Sequence, residues 1–281
     1  MLRALLATSR PRFWHYLLGP YLLGAAAGAP HQAALLSPAF WLPFVFFTLP
    51  ANLLVYGVND LCDGDTDAFN TKKEGYERRV EADERRRLLG LILLSCLPFA
   101  PVFWLAPRAA QLALAAFLFF GVFYSAPPIR AKARPIVDAA FNVLYVFPGV
   151  YGYFALGGTA LALPVFLAAW AWCMAMHAFS AIPDIEADKA AGVPTVATLL
   201  GEKGTLAFCA TLYAVAAMLA FPTLGALALL CGALYLALLT WAARTEVFTV
   251  YRRFPLLNGV VGFCLVWFVL LNRWAVLVRP Q

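Results

Sequence analysis

The sequence predicts an all-α polytopic membrane protein, folded as a bundle of nine transmembrane helices. Of its 281 residues, 63% are hydrophobic and only 13% are charged, whereas a typical soluble domain has about 25% charged residues. Long apolar runs also recur along the whole chain, each close to the ~20 residues that a transmembrane helix needs. These two observations exclude a soluble globular domain, a disordered chain and a fibrous repeat. The short segments of alternating polarity that are typical of a β-barrel are not seen.

The apolar runs account for most of the chain. We place nine spans near 13–28, 39–60, 88–106, 109–125, 138–157, 163–183, 204–221, 223–243 and 255–277. The loops after spans two, four, six and eight are longer and polar, whereas the loops between them are short and nearly uncharged. Residues 1–281 are therefore predicted to form a single transmembrane domain surrounded by membrane lipid.

The basic residues predict the orientation of these spans. If the N-terminus is cytoplasmic, the outer segments hold Arg108, Arg273 and Arg279, and the rest of the 21 Lys and Arg residues face the cytoplasm. The positive-inside rule favours this arrangement in the cell (inner) membrane, and it explains the net charge of +6 without a nucleic-acid partner. All 15 acidic residues fall on the same half, which indicates a working face at the cytoplasmic end.

Two acidic clusters follow spans two and six. Asn59, Asp63 and Asp67 share one face if span two continues as a helix, and Asp184 and Asp188 share a face after span six. Carboxylates at this spacing repel each other and are costly near a bilayer, so the repeated arrangement favours a bound cation. Oxygen ligands are typical of Mg²⁺, which commonly binds through one or two carboxylates and a substrate phosphate.

Two other interpretations of the first cluster stay open. One is a solvated polar loop. The other is a calcium-binding loop, because Asp63, Asp65, Asp67 and Glu74 have the spacing of EF-hand ligands. However, Ala68 stands where that loop needs glycine, and the preceding helix is a membrane span. We therefore favour a metal-bound diphosphate site.

Basic side chains alternate with the acidic clusters. Taken singly, each satisfies the positive-inside rule. Taken together, they surround the carboxylates and supply positive charge for phosphate oxygens that the metal does not neutralise. The candidates for diphosphate binding are Asn59, Lys72, Lys73, Arg130, Lys132 and Lys189.

Paired prolines follow span four. Pro127 and Pro128 break the helix, and we predict a rigid turn that holds Tyr124, Arg130 and Lys132 at the membrane surface. An ordinary rigid connector is the alternative.

His177 and the acids themselves have alternative interpretations. His177 lies seven residues before Asp184 on the same helical face, and we interpret it as a packed histidine rather than a base.

Intramembrane carboxylates also occur on ion pathways, so a cation transporter is an alternative of a different class. That alternative predicts acids at mid-membrane depth and broken helices, whereas these acids fall at predicted helix ends.

The two acidic motifs together resemble those of the UbiA superfamily of intramembrane prenyltransferases, which share a nine-helix fold. The family's motifs NDxxDxxxD and DxxxD match Asn59-Asp60…Asp63…Asp67 and Asp184…Asp188. Within the superfamily the chain looks most like the lycopene elongases, which make C45 or C50 carotenoids. The stretches that carry this closer resemblance are 67–75, 124–135 and 183–192.

The resemblance implies a Mg²⁺-dependent enzyme that transfers a prenyl group from an allylic diphosphate, dimethylallyl diphosphate in this subgroup, to a lipophilic acceptor such as lycopene. Asn59, Asp63, Asp67, Asp184 and Asp188 are the implied metal ligands, and the four aspartates among them are the implied catalytic residues, with Tyr124 facing the allylic cation. Lys72-Lys73 stands where quinone-forming relatives often carry an Arg-Pro pair. An aromatic or quinone-precursor acceptor is the alternative within the superfamily.

Overall fold

The structure, a computed structural model, describes residues 2–62 and 84–275, and every regular element in these ranges is helical. The α-helices are α1 (Leu2–Ser9), α2 (His15–Gly28), α3 (Pro38–Phe46), α4 (Leu49–Cys62), α5 (Arg85–Cys96), α6 (Ala100–Trp104), α7 (Arg108–Phe123), α8 (Val137–Ala140), α9 (Phe147–Ala155), α10 (Leu163–Ala181), α11 (Ile185–Ala190), α12 (Val196–Leu224), α13 (Ala226–Ala242), α14 (Val247–Tyr251) and α15 (Phe254–Ala275). Short 3₁₀ segments join several of them.

Five stretches of the described residues are long and apolar enough to cross a membrane, as expected of an integral membrane protein. They are Pro38–Cys62, Arg85–Trp104, Leu163–Ala190, Val196–Leu224 and Val247–Arg273. The helices α7 and α13 are apolar but shorter.

The helices differ in number and extent from the nine that the sequence predicts. Each predicted span coincides with helical residues, but the described ranges also contain α1, α11 and α14. The loop predicted at 184–203 is therefore wrong in part, because α11 and the beginning of α12 occupy it. Thr195 caps α12 by accepting a hydrogen bond from the backbone N–H of Thr198 at 3.2 Å, in a reciprocal capping box. The residues that follow this cap form a short helical segment, which a kink at Gly201 (φ 66°) separates from the longer part of α12. The glycine and the charged pair Glu202-Lys203 after it concealed the helix start.

Several predicted spans are interrupted. Span two divides between α3 and α4, and span five consists of α8, the 3₁₀ segment Phe141–Tyr145 and α9. Non-helical backbone at membrane depth is tolerated where protein buries it or where it lines a cavity. Asp138, which is fully buried, lies on α8, directly before the interruption in span five.

The helices α2 and α9 pack at very short distance because glycines line their contact. A Cβ atom on Gly24 would overlap the backbone carbonyl of Gly149, and one on Gly28 would overlap that of Tyr153. Small residues of this kind allow membrane helices to approach closely. The pair of helices therefore forms a rigid wall of the bundle.

The last long helix packs against the first long one. Asn258 on α15 donates a hydrogen bond to the hydroxyl of Tyr16 on α2 at 2.9 Å and accepts one from the hydroxyl of Tyr235 on α13 at 2.8 Å. Since Asn258 and Tyr235 are buried, this polar link joins three helices within the apolar interior. The bundle encloses a cavity to which α2, α4, α10, α11 and α14 contribute side chains.

Candidate functional site

A cavity of about 270 Å³ collects most of the predicted site residues that the structure describes. They come from separate parts of the chain: the end of α4, the turn after α7 and the segment that follows α10. The predicted residues that line the cavity are Asn59, Tyr124, Lys132, Asp184 and Asp188.

The second acidic motif lies across a junction of two short helical segments. Asp184 ends the 3₁₀ segment Ile182–Asp184, and Asp188 lies within α11. Pro183 stands in the first turn of the 3₁₀ segment, where proline is tolerated because its missing N–H would have no helical partner. Both carboxylates line the same cavity, as the spacing of four residues predicts.

Asn59 connects the end of α4 with the turn after α7. Its amide Nδ2 donates a hydrogen bond to the hydroxyl Oγ of Ser125 at 2.9 Å, and Ser125 is buried. This contact fixes the orientation of the amide group beside Tyr124, the residue that precedes Ser125. A ligand oxygen and an aromatic ring are thereby brought to one part of the cavity wall.

The predicted basic residues occupy three different environments. Lys132 is buried and lines the cavity, because the backbone N–H of Lys132 donates to the carbonyl of Tyr124 at 2.9 Å and folds the turn back on itself. Arg130 has a left-handed backbone, with φ of 44°, and is not among the lining residues. Lys189 is exposed and forms an ion pair with Glu186 at 3.1 Å.

The remaining predicted residues lie outside the described part of the chain. Asp63, Asp67, Lys72 and Lys73 all follow Cys62, the last residue of α4, and precede Glu84. Their roles stay predictions.

Sequence reasoning missed Arg10, which lines the cavity. The guanidinium Nη2 of Arg10 lies 3.2 Å from the carboxylate Oδ1 of Asp60, which is almost fully buried. The guanidinium carbon also lies 4.8 Å from the ring centroid of Tyr56, within the range of a cation–π interaction. The available signal was Asp60 itself, because an acid of the first motif that lies near the end of a membrane span requires a compensating charge.

Asp138 and His177 form a second pair that sequence reasoning did not assign to the site. The carboxylate Oδ2 of Asp138 lies 3.3 Å from Nε2 of His177 and accepts a hydrogen bond from the backbone N–H of Val196 at 2.9 Å. His177 lines the cavity, so it is not packed away in the core as we interpreted it. The signal for Asp138 was an acid at the start of an apolar span.

Aromatic side chains form much of the cavity wall. Phe13 and Tyr16 stack with ring centroids 5.6 Å apart, and the hydroxyl oxygens of Tyr56 and Tyr145 lie 3.4 Å apart. Aromatic faces attract a cation through their quadrupole. The wall therefore suits an apolar ligand that carries positive charge during reaction.

The described donors fit a hard cation. Asp184 and Asp188 offer carboxylate oxygens, and Asn59 offers an amide oxygen, which are the ligand types that Mg²⁺ prefers. Within residues 2–62 and 84–275, no group of three or more His, Cys, Asp or Glu side chains is close enough to hold a metal. In the sequence the first motif continues beyond Cys62 with Asp63 and Asp67, which are predicted to supply further oxygen ligands.

Comparison with known proteins gives consistent matches over nearly the whole chain. The model of the UbiA prenyltransferase family matches residues 17–255. The chain is 43% identical over 258 residues to the lycopene elongase/hydratase of Haloferax volcanii, which covers 90% of this chain and 84% of that protein. It is 39% identical to the protein of the same name from Haloarcula japonica, over 99% of this chain and 93% of that protein.

Solved structures share the fold. The structure of a UbiA homolog from Archaeoglobus fulgidus bound to DMAPP and Mg²⁺ matches with a TM-score of 0.69 at 20% identity, over 98% of this chain and 99% of that chain. The structure of a UbiA homolog from the same organism bound to GPP and Mg²⁺ matches with a TM-score of 0.66 at 21% identity, over 94% and 99%.

Proposed function

Because the chain belongs to the UbiA prenyltransferase family, we propose that it transfers a dimethylallyl group from dimethylallyl diphosphate to lycopene and so forms C45 and C50 carotenoids. As a prenyltransferase it is an enzyme, which replaces the cation-transporter alternative. The observation that carries the proposal is the cavity, in which an acidic pair and an aromatic wall meet. The identity of 39–43% to lycopene elongase/hydratases over most of the chain supports the choice of acceptor.

The charges around the cavity also favour a hydrocarbon acceptor. A benzoate-type acceptor carries a carboxylate that needs a fixed cation. Of the described cations on the cavity wall, Arg10 is already paired with Asp60, and Lys132 belongs to the turn beside the acidic motif. The aromatic part of the wall, which includes Phe13, Tyr16 and Tyr145, suits a hydrocarbon, which needs no polar anchor.

We propose that Mg²⁺ is held by Asn59, Asp63, Asp67, Asp184 and Asp188. Bound there, Mg²⁺ would neutralise the negative charge of the diphosphate and of the leaving group.

The chain's own basic residues would complete this neutralisation. Lys132 is the described residue best placed for it, and Arg130, Lys72, Lys73 and Lys189 remain further candidates. Charge-assisted hydrogen bonds from such groups stabilise phosphate oxygens. The C–O bond of the donor breaks with its electron pair leaving on diphosphate, and the ring of Tyr124 faces the resulting allylic cation. The bundle excludes water, which would otherwise capture the cation.

We further propose that the whole chain, 1–281, is one transmembrane domain with nine spans in the cell (inner) membrane. The N-terminus and the acidic motifs face the cytoplasm in this arrangement. The excess of Lys and Arg in the loops that carry these motifs supports this orientation. A cytoplasmic site is also accessible to a water-soluble diphosphate donor.

Expression in cells that accumulate lycopene tests the proposed function. We expect new pigments with the masses of C45 and C50 carotenoids. In isolated membranes supplied with dimethylallyl diphosphate, EDTA should abolish their formation and added Mg²⁺ should restore it. Unchanged lycopene together with prenylation of a supplied aromatic acid would overturn the choice of acceptor, and full activity in EDTA would overturn the metal requirement.

A further inference from the structure

A buried carboxylate outside both acidic motifs lies behind the cavity wall. Asp138 has no exposed surface, and its Oδ2 accepts the backbone N–H of Val196, the first residue of α12, at 2.9 Å. This backbone N–H supplies the hydrogen bond that a buried carboxylate requires. The second oxygen, Oδ1, is buried and accepts no hydrogen bond from the described residues.

His177 stands between this carboxylate and the cavity. Its Nε2 lies 3.3 Å from Oδ2 of Asp138, while the side chain is 16% exposed and lines the cavity. A carboxylate accepts hydrogen bonds but does not donate them. The neutral imidazole beside it therefore carries its proton on Nε2, which leaves the lone pair on Nδ1.

The neighbouring ring relates this lone pair to the reaction. His177 and Tyr124 make an edge-to-face contact with ring centroids 5.8 Å apart, and Tyr124 is the residue that we propose to face the allylic cation. The hydroxyl groups of Tyr56 and Tyr145 are paired with each other, and the carboxylates of Asp184 and Asp188 belong to the diphosphate end. Of the described side chains on the cavity wall, His177 contributes the sole imidazole.

We propose that His177 is the base that accepts the proton released when the acceptor is prenylated, and that Asp138 is the positioning residue that fixes its tautomer. The inference rests on the proposed function. The π electrons of the terminal double bond of the acceptor form a C–C bond to C1 of the allylic cation, which leaves a tertiary carbocation. A C–H bond on an adjacent carbon then breaks, its electron pair forms the new C=C bond, and its proton passes to Nδ1 of His177. The products are the elongated alkene and diphosphate, with one proton on the imidazole.

The substitution His177→Gln separates this role from a purely structural one. The Gln side chain carries an amide N–H that can still donate to Asp138, but it has no nitrogen that accepts a proton. Asp138→Asn is the companion variant: its carbonyl oxygen, at the position of Oδ2, still accepts from Val196 and from Nε2 of His177, while the negative charge that stabilises a protonated imidazole is removed. His31→Gln serves as the matched control, because His31 is exposed and lies outside the cavity lining.

Two quantities are measured on the purified protein in lipid vesicles with lycopene, dimethylallyl diphosphate and Mg²⁺: diphosphate released and elongated alkene formed. A general base typically contributes about 10²–10⁴ in rate, so we expect at least about a tenfold loss of alkene per diphosphate released in His177→Gln and in Asp138→Asn. The diphosphate that is released without alkene formation should be matched by dimethylallyl alcohol or hydroxylated carotenoid, which form when water captures a cation. In His177→Gly, added imidazole should restore the alkene.

Three outcomes would overturn the inference. The first is a wild-type ratio of alkene to diphosphate in His177→Gln. The second is an equal loss of diphosphate release and of alkene in a monodisperse variant, since that indicates a structural role. The third is a wild-type protein that does not elongate lycopene at all, which overturns the proposed function as well and is recognised by the absence of alkene before any substitution.

Discussion

At the scale of single residues, Asp184 and Glu186 differ in the direction that they face. Asp184 lines the cavity, whereas the side chain of Glu186 is 87% exposed and paired with Lys189. Replacing Asp184 with Asn preserves shape and removes charge, so we expect transfer activity to fall by at least about 100-fold, as for the loss of a major electrostatic contact in an active site. Product formation in isolated membranes measures this effect, and Asp63→Asn is predicted to behave in the same way.

Glu186→Gln is the matched control for this substitution. It removes a carboxylate from the same segment but leaves the cavity unchanged, so its activity should stay close to that of the wild type. Near-normal turnover in Asp184→Asn would refute the proposed role of the second acidic motif. Equal amounts of the two variants in the membrane fraction exclude a difference in insertion.

Lys132 and Lys189 provide a second comparison between a buried and an exposed residue. Lys132 lines the cavity, and Lys189 is paired on the surface, where ion pairs contribute little. We expect Lys132→Ala to raise KM for dimethylallyl diphosphate by at least about tenfold, since losing one charge-assisted contact costs about 1.5–3 kcal/mol. Steady-state kinetics at varied diphosphate measures this change, and a larger effect of Lys189→Ala would contradict the assignment.

The sequence alone identifies a residue of the candidate site when the residues that it acts with are close to it along the chain. The spacing of Asp184 and Asp188 places both on one side of a helical segment, and both line the cavity. Asp138 has partners 39 and 58 residues away, and Arg10 has its partner 50 residues away. Local patterns contain no information on such distant contacts, so Asp138 was included only as the first residue of predicted span five and Arg10 only as part of the positive-inside charge.

At the scale of helices, the close contact of α2 and α9 depends on glycine. A methyl group on Gly24 would overlap the backbone carbonyl of Gly149, and backbone cannot move aside as a flexible side chain can. We expect Gly24→Ala to destabilise the protein by about 1–3 kcal/mol, the usual cost of overpacking. The apparent Tm in detergent, monitored through the appearance of aggregated protein on heating, measures this loss of stability.

Gly262→Ala on α15 is the control for this prediction. A Cβ on Gly262 would have no neighbour within 4 Å, and alanine has the higher helix propensity. The Tm of this variant should equal or exceed that of the wild type. If Gly24→Ala unfolds at the wild-type temperature, the contact between the two helices is looser than the structure indicates.

The apolar runs located the helices but not their interruptions. Hydropathy is high on both sides of Phe47–Thr48 and through the 3₁₀ segment Phe141–Tyr145, so it does not reveal where the α-helical geometry gives way to a turn or to a 3₁₀ segment. Short polar helices such as α11 were missed for the opposite reason, because their composition is that of a loop. Tertiary packing determines both where an apolar helix is interrupted and whether a short polar segment becomes helical.

At the scale of the whole molecule, the proposed topology makes a prediction about accessibility. With the loop after α4 in the cytoplasm, a cysteine introduced at Gly75, on a background without the native cysteines, should be protected from an impermeant thiol reagent in intact cells. Lysis should allow its labelling. A cysteine near Ala160, in a loop predicted to be outside, should be labelled without lysis. Labelling at position 75 in intact cells would contradict the orientation.

The link between Tyr16 and Asn258 has a consequence for biosynthesis. These residues are 242 positions apart, yet Tyr16 forms part of the cavity wall. During translation, α2 enters the membrane early, and its polar contact with α15 must wait until nearly all the intervening helices have been synthesised. The aromatic wall therefore stays unfinished in the nascent chain until α15 has been synthesised and supplies the hydrogen bond from Asn258 to the hydroxyl of Tyr16.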